Sequence, residues 1–330
     1  MTINIQLLSS YRSQIMGVCM IFVMLCHARL DGASYPSFIL SFLDYLDTGV
    51  DVFLLVSGLG MYFSLSKAED TGNYSYWKWI KRRLVRILIP YLFIETPFWL
   101  IYCVNKDLGF LDFLYYISMA SFWVEHIGVW FLALIIPLYL VTPLIHKLLK
   151  QTQYNFILIL LLIILSMVIS VLPISTTSEL LNSIIGNMQT VICRVPCYII
   201  GLSWGRLISN KRSIHSFWLV LIPFLFFFLR FVPIVNTIYR GWLLAIAIAI
   251  LLSYLIDCIK NGIVANKLLL IIGNATLSIY ISYDVMKNVL HVPLGDGTWY
   301  YSLSIISGFV LGISYYYVEL SARKWLKNPT

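Results

Sequence analysis

The stretch IMGVCMIFVMLCHARLDG, residues 15–32, joins a long apolar run to a polar end. The mostly apolar positions 16–26 lead to His27, and Arg29 and Asp31 follow immediately. A run of this length approaches the number of residues that a helix needs to cross the hydrocarbon part of a bilayer. The stretch therefore predicts a membrane helix that carries an imidazole close to the membrane boundary.

The composition extends this interpretation to the whole chain. Of the 330 residues, 60% are hydrophobic and only 12% are charged, about half the charged fraction of an ordinary soluble domain. Apolar runs recur throughout, and no polar stretch is long enough to fold alone. We therefore predict an all-α, polytopic integral membrane protein with one transmembrane domain over residues 1–330. The ten predicted spans are 14–30, 44–66, 84–104, 128–146, 155–173, 185–207, 216–234, 238–259, 267–290 and 299–320.

The basic residues predict the orientation. The formal net charge is +8, and most of the 23 lysines and arginines fall in short segments that are cytoplasmic if the N-terminus is inside. This bias, together with an even number of spans, predicts that both termini are cytoplasmic. A basic surface for nucleic acid is not expected, because the charges are dispersed between apolar runs. The apolar, aromatic segment 108–124 is short, so we expect an interfacial or re-entrant piece on the outer side.

Ionisable side chains within the predicted spans are few. Such groups are costly in lipid, so each needs a partner or a task. Asp51 and Arg230 fall near the outer ends of their spans, as His27 does. Glu95 and Arg194 fall nearer the middle, and an ion pair between them is the structural alternative to a functional role. The residues of this class are His27, Asp51, Glu95, Arg194, Arg230 and Asp284.

His27 is the candidate base. An imidazole titrates near neutrality, so it can accept a proton from a hydroxyl and later release it. The alternative is a helix-end histidine that bonds a carbonyl. Arg12 precedes His27 by fifteen residues, about 22 Å along a helix and within about 60° of the same face. One groove could therefore present a guanidinium at the cytoplasmic end and an imidazole at the outer end.

A second basic cluster lies in YWKWIKRRLVRILIPY, residues 76–91. Arg82 and Arg86 are four residues apart and share one helix face. The arginine fork suits phosphate oxygens, although the positive-inside bias alone also places basic residues here. Cys193 and Cys197 are four apart without neighbouring histidines or carboxylates, and we expect no metal site there.

Five stretches in this order resemble one known family. They are MGVCMIFVMLCH (16–27), GVDVFLLVSGLGMYF (49–63), RRLVRILIPY (82–91), HIGVWFLALIIPLYLVTPLI (126–145) and IIGNATLSIYISY (271–283). The set resembles membrane acyltransferase family 3, the bacterial integral-membrane acyltransferases that O-acetylate surface polysaccharides. The resemblance covers residues 11 to about 320 and rests on the ordered set rather than on any single motif.

The resemblance implies a ten-span protein of the bacterial inner membrane. Such a protein takes acetyl groups from cytoplasmic acetyl-CoA, without a metal, and hands them to a polysaccharide or lipid-linked glycan outside. It implies that His27 is catalytic and that Arg82 and Arg86 bind the donor. The first-span arginine of the family usually stands where this chain has Met16, so the donor-binding role passes to Arg12.

Further roles are expected at the outer side. Asp51 shares the outer position of His27, and we assign it to orienting or charge-stabilising that imidazole. His126 and Trp130 are suited to hydrogen bonding and stacking on a sugar, although aromatic residues also form an interface belt. In the last motif the family often has a histidine after the tyrosine-rich segment, whereas this chain has Asp284. The alternative function is a transporter, flippase or polymerase of lipid-linked glycans, and a homo-oligomer is left open.

Overall fold

The computed structural model describes residues 2–43, 45–72, 74–151, 155–215, 217–229, 231, 241–294 and 298–327. These residues are almost entirely helical, in agreement with the all-α prediction. The helices are α1 (Gln6–Ser10), α2 (Arg12–Leu30), α3 (Ser37–Leu43), α4 (Thr48–Asp70), α5 (Tyr76–Asn105), α6 (Phe110–Ile117), α7 (Ala120–Glu125), α8 (Trp130–Gln151), α9 (Asn155–Val171), α10 (Glu179–Ile192), α11 (Val195–Ser209), α12 (Phe217–Leu229), α13 (Gly241–Cys258), α14 (Ile263–Asn274), α15 (Thr276–Leu294) and α16 (Thr298–Lys327). Two short strands, β1 (Thr2–Ile3) and β2 (Ile214–His215), pair antiparallel.

The described residues contain seven helices long and apolar enough to cross a membrane, with α10 and α11 counted together as Glu179–Ser209. The number is eight if the bent pair α14–α15 is one span. Each of the ten predicted segments overlaps a helix, but α9 has 17 residues and α12 has 13. A helix of 13 residues is about 20 Å long, which is shorter than the hydrocarbon region. Part of the predicted span 216–234, including Arg230, lies outside the described residues. The predicted segment 108–124 forms the two short helices α6 and α7.

The chain divides into two compact units. The first comprises Met1–Arg12, Thr48–Leu84 and Met119–Cys258, and the second comprises Ser13–Asp47, Val85–Ser118 and Ile259–Thr330. Helices α2 and α5 each contribute residues to both units.

The first unit is organised around α4, which is largely buried. Small residues bring α11 against it. A Cβ added to Gly201 would overlap the backbone carbonyl of Leu55, and one added to Gly58 would overlap that of Tyr198. Close backbone approach at glycine is the usual way in which membrane helices pack, because lipid-exposed helices gain little from apolar burial alone.

Close helix packing at glycine also occurs at two places in the second unit. Gly17 of α2 abuts the carbonyl of Leu269 on α14, and Gly273 abuts the carbonyl of Ser13. Gly308 of α16 lies against Tyr283 of α15, and Gly312 lies one turn further along α16. These contacts fix the two long C-terminal helices side by side, and they set the position of the tyrosines that α15 carries.

Candidate functional site

His27 lies near the C-terminal end of α2, half-buried within the second unit. Helix α15 presents two tyrosines to it. The ring centroids of Tyr280 and Tyr283 each lie 6.3 Å from that of His27, with interplanar angles of 51° and 52°. The two tyrosines are three residues apart, so they share a helix face. The imidazole is therefore flanked by two phenol rings from a single neighbouring helix.

Asp31 links this helix end to the two C-terminal helices. Its carboxylate accepts a hydrogen bond from the hydroxyl of Tyr283 at 3.3 Å. Both of its oxygens also meet the ammonium of Lys287, at 3.3 and 3.2 Å. The hydroxyl of Tyr301 donates to the backbone carbonyl of Asp31. The turn after α2 is thus held by residues of α15 and α16.

Two glycines shape this end of the second unit. A Cβ at Gly308 would lie 2.9 Å from both Cα and Cβ of Tyr283, so α16 supports that tyrosine closely. Gly32 has a φ of +117°, which favours glycine, and a Cβ there would lie 2.8 Å from the Tyr301 hydroxyl. Substitution at either glycine would displace a side chain of the His27 surroundings.

The partners of His27 were not assigned from the sequence. Asp31 stands in the opening stretch, and Tyr280 and Tyr283 stand in the last family motif, so each was visible locally. The sequence carries no signal that the two segments, about 250 residues apart, meet through Asp31 and Lys287. Only the packing of α2 against α15 brings them together.

Two further carboxylates of the second unit interact with each other. Glu95 is 1% exposed, and it interacts electrostatically with the half-buried Asp284. The Oε1 atom of Glu95 has no hydrogen-bond partner within the described part of the chain. Asp284 stands where the family often has a histidine, and it also interacts electrostatically with Asp31 and Lys287.

Arg12, the first residue of α2, belongs to the first unit. Its guanidinium lies over Gly60 of α4, where an added Cβ would be 2.8 Å from Nη1. Arg12, which is predicted to bind the acyl donor, is therefore solvent-exposed on one side. On the other side its guanidinium lies against the backbone of α4 at Gly60.

The arginine cluster at the start of α5 divides between two environments. Arg82 and Arg86 are exposed, and Nε of Arg82 donates to the carbonyl of Lys78 at 3.2 Å. Arg83 instead hydrogen-bonds Ser64 of α4 and lies 5.7 Å from the ring centroid of Trp79. The sequence interpretation missed Arg83, although it stands in the same basic run.

Gly60 and Ser64 are one turn apart on α4, so they lie on the same face of that helix. The guanidinium of Arg12 rests on the first and that of Arg83 bonds the second. Two cations of the first unit therefore approach consecutive turns of one helix. Guanidinium groups arranged in this way suit the oxygens of a phosphorylated ligand.

Asp51 also belongs to the first unit, where it is fully buried. Its carboxylate pairs with Arg194, with 3.0 Å between Oδ2 and Nη1. The guanidinium of Arg194 in turn lies 5.2 Å from the ring centroid of Trp130. The structure thus joins two predicted site residues, Asp51 and Trp130, through the arginine between them.

His126 ends α7 in the left-handed backbone region and is exposed. Its Nδ1 lies 2.9 Å from Oδ1 of Asn187, whose amide nitrogen donates to the carbonyl of Trp123 at 3.0 Å. These contacts orient the predicted sugar-binding histidine from α10. Asn187 is a further residue that the sequence did not indicate.

Cys193 and Cys197 are both buried, and the thiol of Cys193 donates to the backbone carbonyl of Thr190 at 3.1 Å. Among the residues that the structure describes, no group of three or more histidine, cysteine, aspartate or glutamate side chains is arranged to hold a metal ion.

Comparison with known proteins gives a family but no individual relative. Searches of curated proteins and of solved structures return no match. Residues 15–318 match the family Acyl_transf_3, described as an acyltransferase domain. The match includes His27, Asp51 and the basic cluster of α5, and it runs almost to the end of α16. The chain therefore belongs to acyltransferase family 3.

Proposed function

We propose that this protein is an O-acyltransferase of the bacterial inner membrane that moves an acetyl group from cytoplasmic acetyl-CoA to a hydroxyl of a surface polysaccharide. The observation that carries the proposal is His27, flanked by Tyr280 and Tyr283 at one end of α2. The same continuous helix begins at Arg12. Fifteen residues of a helix correspond to a rise of about 22 Å along its axis.

His27 is the general base in this proposal. It takes the proton of the acceptor hydroxyl as the hydroxyl oxygen attacks the thioester carbonyl carbon. The carbon–sulfur bond breaks, and the proton passes to the CoA thiolate, so the products are an ester and a thiol. In a variant of this mechanism the acetyl group rests on the imidazole before the hydroxyl attacks. Trapping labelled protein after addition of radioactive acetyl-CoA distinguishes the two.

The donor is bound through its phosphates. Arg12, Arg82 and Arg86 are the arginines that sequence reasoning assigned to this task, and the Arg83–Ser64 contact supports adding Arg83. An acyl-CoA carries several negative charges at its nucleotide end. Arginines bind such groups more specifically than lysines do, because the planar fork meets two oxygens at once.

The acceptor site is proposed on the first unit. Trp130 offers a ring face, and His126 offers a hydrogen-bonding edge that Asn187 orients. Asp51 was predicted to orient or charge-stabilise His27, whereas in the structure its carboxylate pairs with Arg194. Its contact with Arg194 supports a role in fixing the guanidinium that lies against Trp130.

Acetylation of the surface glycan in cells tests the proposal. A deletion strain carrying His27→Ala should lose O-acetyl groups by at least about 100-fold, the usual contribution of a general base. His215→Ala is the matched control, because His215 is an exposed histidine in β2. Mass spectrometry and NMR of the purified glycan measure both. A well-expressed His27→Ala protein that acetylates normally would contradict the proposal.

A further inference from the structure

Helices α2 and α15 bring one ion pair close to His27. Asp31 follows His27 by one turn, and its backbone N–H donates to the carbonyl of His27 at 2.9 Å. Lys287 contacts both carboxylate oxygens of Asp31, and the side chains of Lys287 and Asp31 are only 24% and 27% exposed. Tyr283 touches both groups, since its ring flanks His27 and its hydroxyl donates to Asp31. One tyrosine thus bridges the imidazole and the ion pair.

Besides connecting α2 and α15, the Asp31–Lys287 pair lies where its charges can affect the protonation of the His27 imidazole. An unpaired carboxylate one turn from an imidazole favours the charged imidazolium, and an unpaired ammonium at the same place disfavours it. The two effects oppose each other when both charges are present and in contact. Partial burial strengthens each of them relative to bulk water.

We propose that Asp31 and Lys287 are positioning residues whose opposite charges offset each other's effect on the protonation of His27. The imidazole is then neutral, and able to accept a proton, in the working pH range. The inference rests on the proposed function of His27 as the base. Neither Asp31 nor Lys287 needs to contact the substrate. Each affects the reaction through the protonation of the His27 imidazole, and the effects of the two charges are opposite in sign.

Other titratable groups share this end of the second unit. They are Arg29 from α2, Tyr35 from the following loop, Tyr280, Tyr283, Asp284 and His291 from α15, Tyr300 and Tyr301 from α16, and Glu95, which acts on Asp284. An ordinary phenol ionises near pH 10. Arg29 is two residues from His27, so it points to a different face of α2. These residues are present in every variant below, and two of them also interact with the pair: Tyr283 donates to Asp31, and Asp284 interacts electrostatically with both Asp31 and Lys287.

The test is the pH dependence of kcat/KM for CoA release from acetyl-CoA, with glycan purified from the deletion strain as acceptor. In Lys287→Met the unbalanced carboxylate should move the acidic limb to higher pH by about half to one pH unit. In Asp31→Asn the unbalanced ammonium should move it to lower pH by a similar amount. The double variant should return the limb to within about 0.2 units of the parent.

Controls separate charge from structure. Lys106→Met removes an exposed lysine of the same unit and should leave the limb in place. Tyr283→Phe removes a hydrogen bond to Asp31 without a change of charge, so it should alter the rate and not the limb. If Asp31→Asn does not accumulate in membranes, the sign of the Lys287→Met shift still decides the matter.

The outcomes are distinct. Opposite shifts that cancel in the double variant support the inference. Shifts of the same sign, or none, overturn it and leave the proposed function intact. An active His27→Ala protein overturns the proposed function itself, whatever the two charge variants do.

Discussion

At the scale of single residues, Gly60 determines how closely a guanidinium approaches α4. A side chain at this position would lie 2.8 Å from Nη1 of Arg12, which is too close for two non-bonded heavy atoms of this kind. The neighbouring atom is the far end of a flexible side chain, so the arginine would move and the helix would not. Gly60 is therefore a position at which the proposed donor binding can be tested without removal of a charge.

We predict that Gly60→Ala weakens binding of CoA by about three- to tenfold, a change of roughly 1 kcal/mol. The displaced Arg12 loses its place on the α4 face that also holds Arg83. Helix stability should not fall, because alanine is favoured over glycine within a helix by about 0.5–1 kcal/mol. Calorimetric titration of the purified protein with CoA measures the affinity, and a thermal melt measures the stability.

Gly186→Ala is the control for this variant. It lies in α10, and an added Cβ meets no atom within 4 Å. Its melting temperature should rise slightly while its affinity for CoA stays unchanged. Equal affinity of Gly60→Ala and the parent would show that the Arg12 position on α4 does not contribute to donor binding.

At the scale of single residues, the sequence predicts relations between neighbours on one helix but not contacts between residues far apart along the chain. His27 and Arg12 could be related to each other because both lie on one helix, where spacing indicates a shared face, and the family resemblance implied their roles. Arg83 could not be separated from Arg82, because their difference arises from the contact with Ser64 nineteen residues earlier. Asp31 and Lys287 are 256 residues apart, and no local pattern predicts such a pair.

At the scale of helices, apolar runs located the elements but not their breaks. The predicted span 185–207 lies within one candidate span, Glu179–Ser209. A turn at Arg194 separates α10 from α11 within it, and Pro196 stands in the first turn of α11. The predicted span 267–290 bends by 69° between α14 and α15. Hydropathy averages over a window, whereas a break depends on a missing N–H at proline. It also depends on hydroxyl bonds to the backbone, such as that from Thr276 to the carbonyl of Gly273.

The packing of α4 against α11 gives a prediction at this scale. Gly201→Ala should lower the free energy of unfolding by about 1–3 kcal/mol, because the added methyl overlaps the backbone carbonyl of Leu55 and must push the helices apart. A thermal melt in detergent, with Gly186→Ala again as the control, measures the difference. A melting temperature equal to that of the parent would contradict this account of the α4–α11 contact.

At the scale of the whole molecule, the proposed reaction requires two sides. In the proposed reaction the donor is cytoplasmic and the acceptor is outside, so the arginines of α5 and the aromatic start of α8 are expected to face opposite compartments. The distribution of basic residues predicts this arrangement. Lys67, Lys78 and Lys81 flank the loop between α4 and α5, and lysines close to span ends favour the cytoplasmic side.

We therefore predict that Thr71→Cys is labelled by a membrane-impermeant maleimide only after cells are permeabilised, whereas Glu125→Cys is labelled in intact spheroplasts. Both positions are exposed, and both belong to the first unit. The background is a Cys258→Ser protein, because Cys258 is the exposed cysteine and the other five are buried. A gel shift of the labelled protein measures the extent of labelling at each introduced cysteine. Labelling of Thr71→Cys from outside would reverse the orientation, and with it the assignment of the α5 arginines to a cytoplasmic donor, because the positive charge would then face the compartment that holds no CoA.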